Sequence, residues 1–278
     1  MNLAMEDFEF VRTVVRDMTG NEIGQNKAYL VETRLLPVAA AFGTPQLSEF
    51  LRYVRRTRDR NGLVQIAEAM LITETYFFRE PQTLDYLSAI ILPSLMSQRG
   101  GRTLRLWSAA CSCGQEVYSL AMLLAEHNQA AGSSGFQITG SDLCTGVLEQ
   151  ARRAEYSTVE VERNLPERYR RHFIARGSDR WHLLTPSEVN VDFRVCNLKS
   201  EALPGPWDVV FIRNVLIYFC EDLRQAVLRR IHQQLAPDGW MILGKSETSW
   251  PPENLFRRVA SGTACFQKIH NNAKGPLV

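Results

Sequence analysis

The chain has 278 residues, with 32 Lys and Arg against 30 Asp and Glu, a formal charge of +2, 45% apolar residues and 22% charged ones. That balance excludes wholesale disorder and leaves no global field to draw in nucleic acid, so any basic patch must be local. The length allows one large or two unequal domains, and the longest apolar runs fall short of the ~20 residues needed to span a bilayer.

The N-terminal MNLAMEDFEFVRTVV carries acids where a secretory signal carries basic residues, so a soluble, cytoplasmic protein is expected. Within EDFEFVRTVVRDMTG, Phe8, Val11, Val15 and Met18 recur at helical spacing, and Gly20 can take the left-handed stop. A second helix runs from about Lys27 to Ala41 and ends at Gly43. Thr44-Pro45 then offers an N-cap followed by proline at the first helical position, and the helix it starts turns Leu47, Phe50, Leu51 and Val54 inward. A fourth helical pattern spans Leu63 to about Leu71. Nothing here alternates with period two, so residues 1–72 read as a small all-helical domain.

From Pro81 a helix runs to about Gln98, bent at Pro93, and meets Gly100-Gly101. Strands and helices then alternate. TLRLWSAA, GFQITGSD, VDFRVCNL, WDVVFIRN and GWMILGKS read as strands; EVYSLAMLLAEH, TGVLEQARRA and DLRQAVLRRIHQQL read as helices. Strands this apolar belong to a mostly parallel sheet covered on both faces, an α/β domain over residues 73–278. The piece at about 156–192 breaks the rhythm and reads as an insertion. The six cysteines contain no C-x-x-C pair and are read as buried thiols; Cys111-x-Cys113 has no second Cys/His pair at ligand spacing, so no metal is expected.

In an open α/β sheet, ligands bind beyond the carboxyl ends of the strands. After the first strand comes SAACSCGQE with a single Gly114, which fails the G-x-G-x-x-G fingerprint, and no G-x-x-x-x-G-K-[ST] loop is present. The second strand ends at Asp142, either a cap for the next helix or a carboxylate for the two hydroxyls of a ribose. The third ends at Asn197-Leu198, an amide and an apolar wall. The fourth breaks off at Arg213-Asn214, where a charge and an amide interrupt the run WDVVFIRNVLIYF. Those two residues make either a satisfied turn or the mouth of a ligand cleft.

TETYFFRE, LRLWSAACSCGQEVYSLAM, GSDL, NL, FIRNVLIYF and LAPDGWMILGKSE together resemble, in order and spacing, the chemotaxis receptor methyltransferases. The resemblance implies a class I methyltransferase fold, Rossmann-like, with a small all-α N-terminal domain for receptor docking and a small antiparallel β-subdomain in the insertion. It implies S-adenosyl-L-methionine as cofactor, S-adenosyl-L-homocysteine as product, and methyl transfer to glutamate side chains of a cytoplasmic chemoreceptor helical bundle. No nucleic acid, no membrane insertion and a monomer are expected. Carried onto this sequence, the cofactor-contacting positions are Thr73, Thr75, Arg79, Glu116, Asp142, Asn197, Leu198, Asn214 and Val215. Asp142 would hold the ribose, and Glu116 would sit near the methionine ammonium. Arg79 would pair with the methionine carboxylate or steer the incoming glutamate, and Tyr218 would orient the reacting groups. The chain departs from the family pattern at Gln115, Cys144 and Thr73, which bears on cofactor affinity.

A glutamate with a pKa near 4.3 is already a nucleophile at neutral pH, so no histidine is needed and Arg79 and Tyr218 are read as orienting groups. Arg52, Arg55, Arg56 and Arg60 recur on the third helix opposite its apolar stripe, with Arg58 nearby and only Asp59 opposing. This face is either a solvated surface or a docking site for an acidic helical bundle. The insertion's ARGSDRW is short and poor in glycine compared with members that grip a receptor tether, implying a protein that works without one. A non-catalytic cofactor-binding scaffold and a nucleic-acid methyltransferase are the alternatives; the latter lacks the Asp/Asn-Pro-Pro-aromatic motif after the fourth strand.

Overall fold

Apolar spacing and turn chemistry set the four N-terminal helices. The computed structural model describes residues 3–44, 46–131, 135–259 and 262–269. Helix α1 (Met5–Thr19) buries Phe8, Val11 and Val15 and stops at Gly20, whose φ of 82° lets its N–H return to the Arg16 carbonyl. Helix α2 (Ala28–Ala41) buries Val31, Leu35 and Ala39. Thr44 does not cap the next helix: its hydroxyl donates back to the Ala39 carbonyl at 3.2 Å, and α3 (Leu47–Thr57) begins after Gln46. The Pro45 half of that expectation lies outside the described residues. Helix α4 (Arg60–Met70) starts earlier than its apolar pattern suggests, because the Asp59 carboxylate accepts the Gly62 N–H at 2.7 Å. Arg34 closes its far end by donating to the Leu71 carbonyl at 2.9 Å.

The chain divides into two compact units, Met1–Ile72 with Tyr218–Arg224, and Thr73–Ile217 with Gln225–Val278. In the first, Phe8, Val31, Leu35, Phe50, Leu51 and Ile66 form the core, and Phe219 joins Asn21 in an isolated bridge.

The second unit opens with α5 (Pro81–Tyr86), a π-helical turn at Leu87–Ile91 and α6 (Leu92–Arg99). The expected bend is therefore a wide turn placed just before Pro93, whose ring would clash with a regular preceding turn and which has no N–H to give it. The main sheet takes β1 (Leu104–Ala109) and β2 (Phe136–Asp142), then β6 (Val189–Val195), β7 (Trp207–Ile212) and β8 (Leu235–Leu243), all parallel. Helices α7 (Gln115–Ala131), α8 (Thr145–Arg153) and α10 (Glu221–Gln234) make its crossovers. Two short antiparallel strands missed by the sequence reading, β9 (Phe256–Arg258) and β10 (Cys265–Lys268), complete the order β6-β2-β1-β7-β8-β10-β9. Strand order reverses between β1 and β7, the switch point where such sheets bind ligands. Register aligns Ala109 with Ser141 and Ile212, and Ile212 with Leu243, so these strands end level with one another.

At the opposite edge Asp208 is 1% exposed and accepts from Arg99 Nε, Arg102 Nη2 and the Arg105 N–H at 2.8–2.9 Å. Arg99 also pairs with Asp238, which ties α6 to the bottom of β7 and β8.

The insertion holds β3 (Glu155–Ser157), a short helix α9 (Thr158–Glu162), a 3-10 turn at Glu167–His172, β4 (Phe173–Ala175) and β5 (Arg180–Leu183). Its antiparallel sheet runs β3-β5-β4. Phe77 packs edge-on against Tyr156 and Phe173, and Phe78 stacks on Tyr169 at 4.5 Å. Asn164 donates to the carbonyls of Phe77 and Phe78, so the insertion's base grips the segment that leads into α5.

Among the described residues none of the six cysteines forms a disulfide, but Cys220 is exposed, against the expectation that all are buried. It stands just before α10, outside the sheet's core.

Candidate functional site

Backbone strain concentrates where β1 and β7 end. Among the described residues seven non-glycine positions adopt positive φ, and Phe78, Glu80, Ala110, Ser112 and Asn214 lie in the segments that converge on this edge. In the β1–α7 loop the Ser112 N–H donates to Asp142 Oδ2 at 2.9 Å, while its hydroxyl donates to the Thr73 carbonyl at 2.6 Å. Gly114 has φ 88°, and a Cβ there would come within 2.9 Å of Ala151. A side chain at 114 would push α8 away from the loop.

Asp142 is 9% exposed, and its Oδ1 accepts the Cys144 N–H at 3.0 Å. The carboxylate thus shapes the turn before α8 without capping the helix, whose N-cap is Cys144, and it braces the loop after β1. Each oxygen accepts at least one backbone amide.

Arg213 is a hub. Its side chain is 3% exposed; Nη1 donates to Glu116 Oε2 at 2.8 Å, Nη2 donates to the Arg79 carbonyl at 2.7 Å, and Glu80 Oε2 lies 3.3 Å away. Burial alone would lower its pKa, but Glu116 and Glu80 outweigh burial and hold it above the ordinary value. Glu116, expected near the methionine ammonium, also accepts from Ser108 Oγ at 2.7 Å, so both its oxygens are engaged. The charge in WDVVFIRN thus ties together the ends of β1, α7 and β7 and the loop before α5.

Asn214 follows with φ 57° and an N–H that donates to Glu247 Oε2 at 2.7 Å. Its side-chain Oδ1 is buried and finds no hydrogen-bond partner among the described residues. Glu247, in the turn Lys245–Glu247 after β8, is fully buried and also accepts the N–H groups of Leu216 and Gly244 at 2.9 Å. Burial pushes its carboxyl up, and these backbone donors pull it back.

Thr73 and Thr75 are half-buried on the irregular approach to α5. Arg79 is half-exposed; its Nη1 donates to the Glu74 carbonyl at 3.2 Å, and its guanidinium lies over the Tyr76 ring. Asn197 begins the loop after β6, where its Oδ1 accepts the Lys199 N–H and its N–H donates to Glu201. Leu198 is buried, and its carbonyl accepts from Arg230 at 2.6 Å. Val215 is half-buried beside Asn214. Tyr218 belongs to the first unit, where its carbonyl accepts the Glu22 N–H.

Gln115, where the chain departs from the family pattern, is 2% exposed and points into the insertion, where its Nε2 donates to Glu160 Oε1 at 3.1 Å. A carboxylate there would face another carboxylate, so the amide suits its partner. Glu80 and Glu247 carry the site's architecture beside Arg213 without having been assigned a role from sequence. The signal for Glu247 was present in GKSE, an acid just beyond an apolar strand. On α3 one expectation fails: Arg55 is not opposed by Asp59 alone, because it pairs with Glu6 at 2.7 Å and lies 3.7 Å from Asp7. Asp59 is occupied as the cap of α4.

Two family profiles match this chain: "CheR methyltransferase, all-alpha domain" over residues 6–71 and "CheR methyltransferase, SAM binding domain" over residues 73–265. Among curated proteins, the chain is 40% identical to chemotaxis protein methyltransferase 1 of Pseudomonas aeruginosa, covering 89% of this chain and 92% of that one. It is 37% identical to chemotaxis protein methyltransferase Cher2 of Pseudomonas putida, covering 87% and 90%. To the chemotaxis protein methyltransferase of Escherichia coli it is 30% identical, covering 91% and 89%.

Proposed function

The chain belongs to the CheR methyltransferase family, and from that membership we propose how its residues carry a methyl group from S-adenosylmethionine to a chemoreceptor glutamate. It is an S-adenosylmethionine-dependent methyltransferase. The residue roles and the docking surface are our reading.

The observation that carries the reading is the buried, unpartnered Oδ1 of Asn214, set at the switch point of the sheet. An orphaned acceptor in a buried position is costly unless a ligand supplies a donor. Asp142 suits the paired hydroxyls of a ribose, Asn214 a donor of the same ligand, and Leu198 an apolar wall for a base. Thr73, Thr75 and Val215 would flank it. Glu116 would share its oxygens between Arg213 and the ligand's ammonium group, so it contributes position more than full charge. These residues fit S-adenosylmethionine.

When bound, that cofactor supplies a sulfonium methyl group. The chain's task is alignment and exclusion of water, because a carboxylate at neutral pH needs no base and the two reacting charges cancel as the bond forms. Arg79, held over Tyr76 and leashed to the Glu74 carbonyl, has the reach of an orienting cation. Tyr218 is assigned an orienting role as well. Docking of an acidic helical bundle is assigned to Arg52, Arg56, Arg58 and Arg60, which form no ion pair among the described residues.

Calorimetric titration with S-adenosylhomocysteine, paired with transfer of a labelled methyl group to receptor fragments, tests the reading. Binding with transfer to glutamate is expected. Binding without transfer would reduce the protein to a cofactor-holding scaffold, and absence of both would end the proposal.

A further inference from the structure

The loop that carries Asn214 and Val215 has an unusual support. Asn214 sits in the left-handed region, which disfavours a side chain, and the residues after it turn at once into the 3-10 turn Leu216–Tyr218. No regular ladder satisfies this stretch. Its backbone donors converge instead on one carboxylate from a different strand end: Asn214 N–H at 2.7 Å and Leu216 N–H at 2.9 Å, with the Ile217 amide adding a further donor. The same carboxylate accepts the Gly244 N–H at 2.9 Å, which fixes the carboxylate to its own turn. Space around it is tight. A Cβ on Gly244 would fall 2.8 Å from both Asn214 Nδ2 and Glu247 Oε2.

We propose that Glu247 is a positioning residue for the cofactor: its fully buried carboxylate gathers the amides of the 214–217 turn and so holds the Asn214 side chain where its Oδ1 meets the ligand. The inference rests on the reading of Asn214 as a cofactor contact. A carboxylate suits this task because it is acceptor-only, with two oxygens that can each take more than one N–H. A glutamine offers one oxygen and turns an NH2 toward amides that are themselves donors. Two donors facing each other in a buried site force the turn to relax. Relaxation moves Asn214, while the rest of the sheet keeps its own ladders.

The experiment compares Glu247→Gln, Gly244→Ala, Asn214→Ala and Asp208→Asn in the full chain. Asp208 is an equally buried carboxylate at the opposite edge of the sheet, so its loss reports on stability alone. Two readouts are taken: affinity for S-adenosylhomocysteine by calorimetry, and hydrogen exchange of the 213–219 segment in the ligand-free protein. Glu247→Gln and Gly244→Ala should each weaken binding by about tenfold or more and speed exchange in that segment. Asp208→Asn should lower the melting temperature yet leave affinity within about twofold. Gly244→Ala perturbs the same contact from the other side and carries the test alone should Glu247→Gln not fold. If Asn214→Ala weakens binding and neither Glu247→Gln nor Gly244→Ala does, the inference falls while the cofactor reading stands. If Asn214→Ala leaves binding unchanged, the premise about Asn214 fails and the inference goes with it. Equal loss of affinity in Asp208→Asn would also overturn it, since destabilisation would then suffice.

Discussion

Arg213 at the end of β7 donates to Glu116 in the first turn of α7 across 2.8 Å, with the arginine side chain 3% exposed and the glutamate 14%. Breaking such a pair from one side strands a buried charge, which costs about 3–5 kcal/mol. Arg213→Ala should therefore lower the unfolding free energy by roughly that amount, read from denaturant titration. Replacing both partners with apolar residues of similar volume should recover much of the stability without restoring cofactor affinity. A single variant as stable as the parent would show that the hub is dispensable.

Gln115 and Glu160 make a second, weaker couple at 3.1 Å. Gln115→Glu would set two carboxylates against each other in a mostly buried place, with an expected loss of about 1–3 kcal/mol. Adding Glu160→Gln should return most of it, and a double-mutant cycle measures the coupling. Independence of the two substitutions would mean that Glu160 is not what disfavours an acid at position 115.

Arg52 and Arg56 are exposed on α3, whereas Arg55 already has acidic partners on α1. Charge reversal at Arg52 and Arg56 should slow receptor methylation and flatten its salt dependence, with S-adenosylhomocysteine affinity unchanged. Arg55 reversal should instead cost stability, because it sets Glu6 and Asp7 against a third acid. Equal methylation by parent and Arg52/Arg56 variant across a salt series would assign docking elsewhere.

Tyr218→Phe removes only a hydroxyl. If that group orients the reactants, kcat should fall by about tenfold or more with KM for the cofactor little changed. Unchanged turnover would discard the polar role.

Asp238 supplies an acid-stability prediction. Hydrogen bonding to Arg99 holds its carboxyl below the ordinary aspartate range, against the opposing effect of partial burial. A depressed folded pKa adds stability that is fully present above the unfolded value and lost as pH falls through the folded one. Stability should thus decline below about pH 4, and Asp238→Asn should shallow that decline. Melting temperatures taken from pH 7 down to pH 3 decide it.

The parts of this protein that sequence reveals are those governed by period and by end chemistry. The parallel strands announce themselves through apolar runs, and Asp142, Asn197 and Asn214 stand where each run stops. Thr44 misled because an N-cap and a C-terminal hydroxyl cap look alike until its acceptor, Ala39, is seen. Strands β9 and β10 are too short to show alternation. Glu80 and Glu247 escape for a different reason: GKSE marks an acid beyond an apolar strand, but their partners lie far along the chain, and nothing local to either predicts which groups from another strand end will arrive.

The insertion's aromatic base and its hairpin tip are under different constraints. Phe77, Phe78, Tyr156, Tyr169 and Phe173 interlock, while Gly177 at the tip, held to glycine only by its own φ of 89°, has no neighbour within 4 Å of the Cβ it lacks. Mutational drift can rewrite the tip, lengthening it or giving it new adhesive chemistry, with no penalty to the reaction. The base has no such freedom, since any change there is passed through Phe78 to the very next residue, Arg79. Accessory recruitment can therefore diversify among descendants of this scaffold while turnover stays fixed.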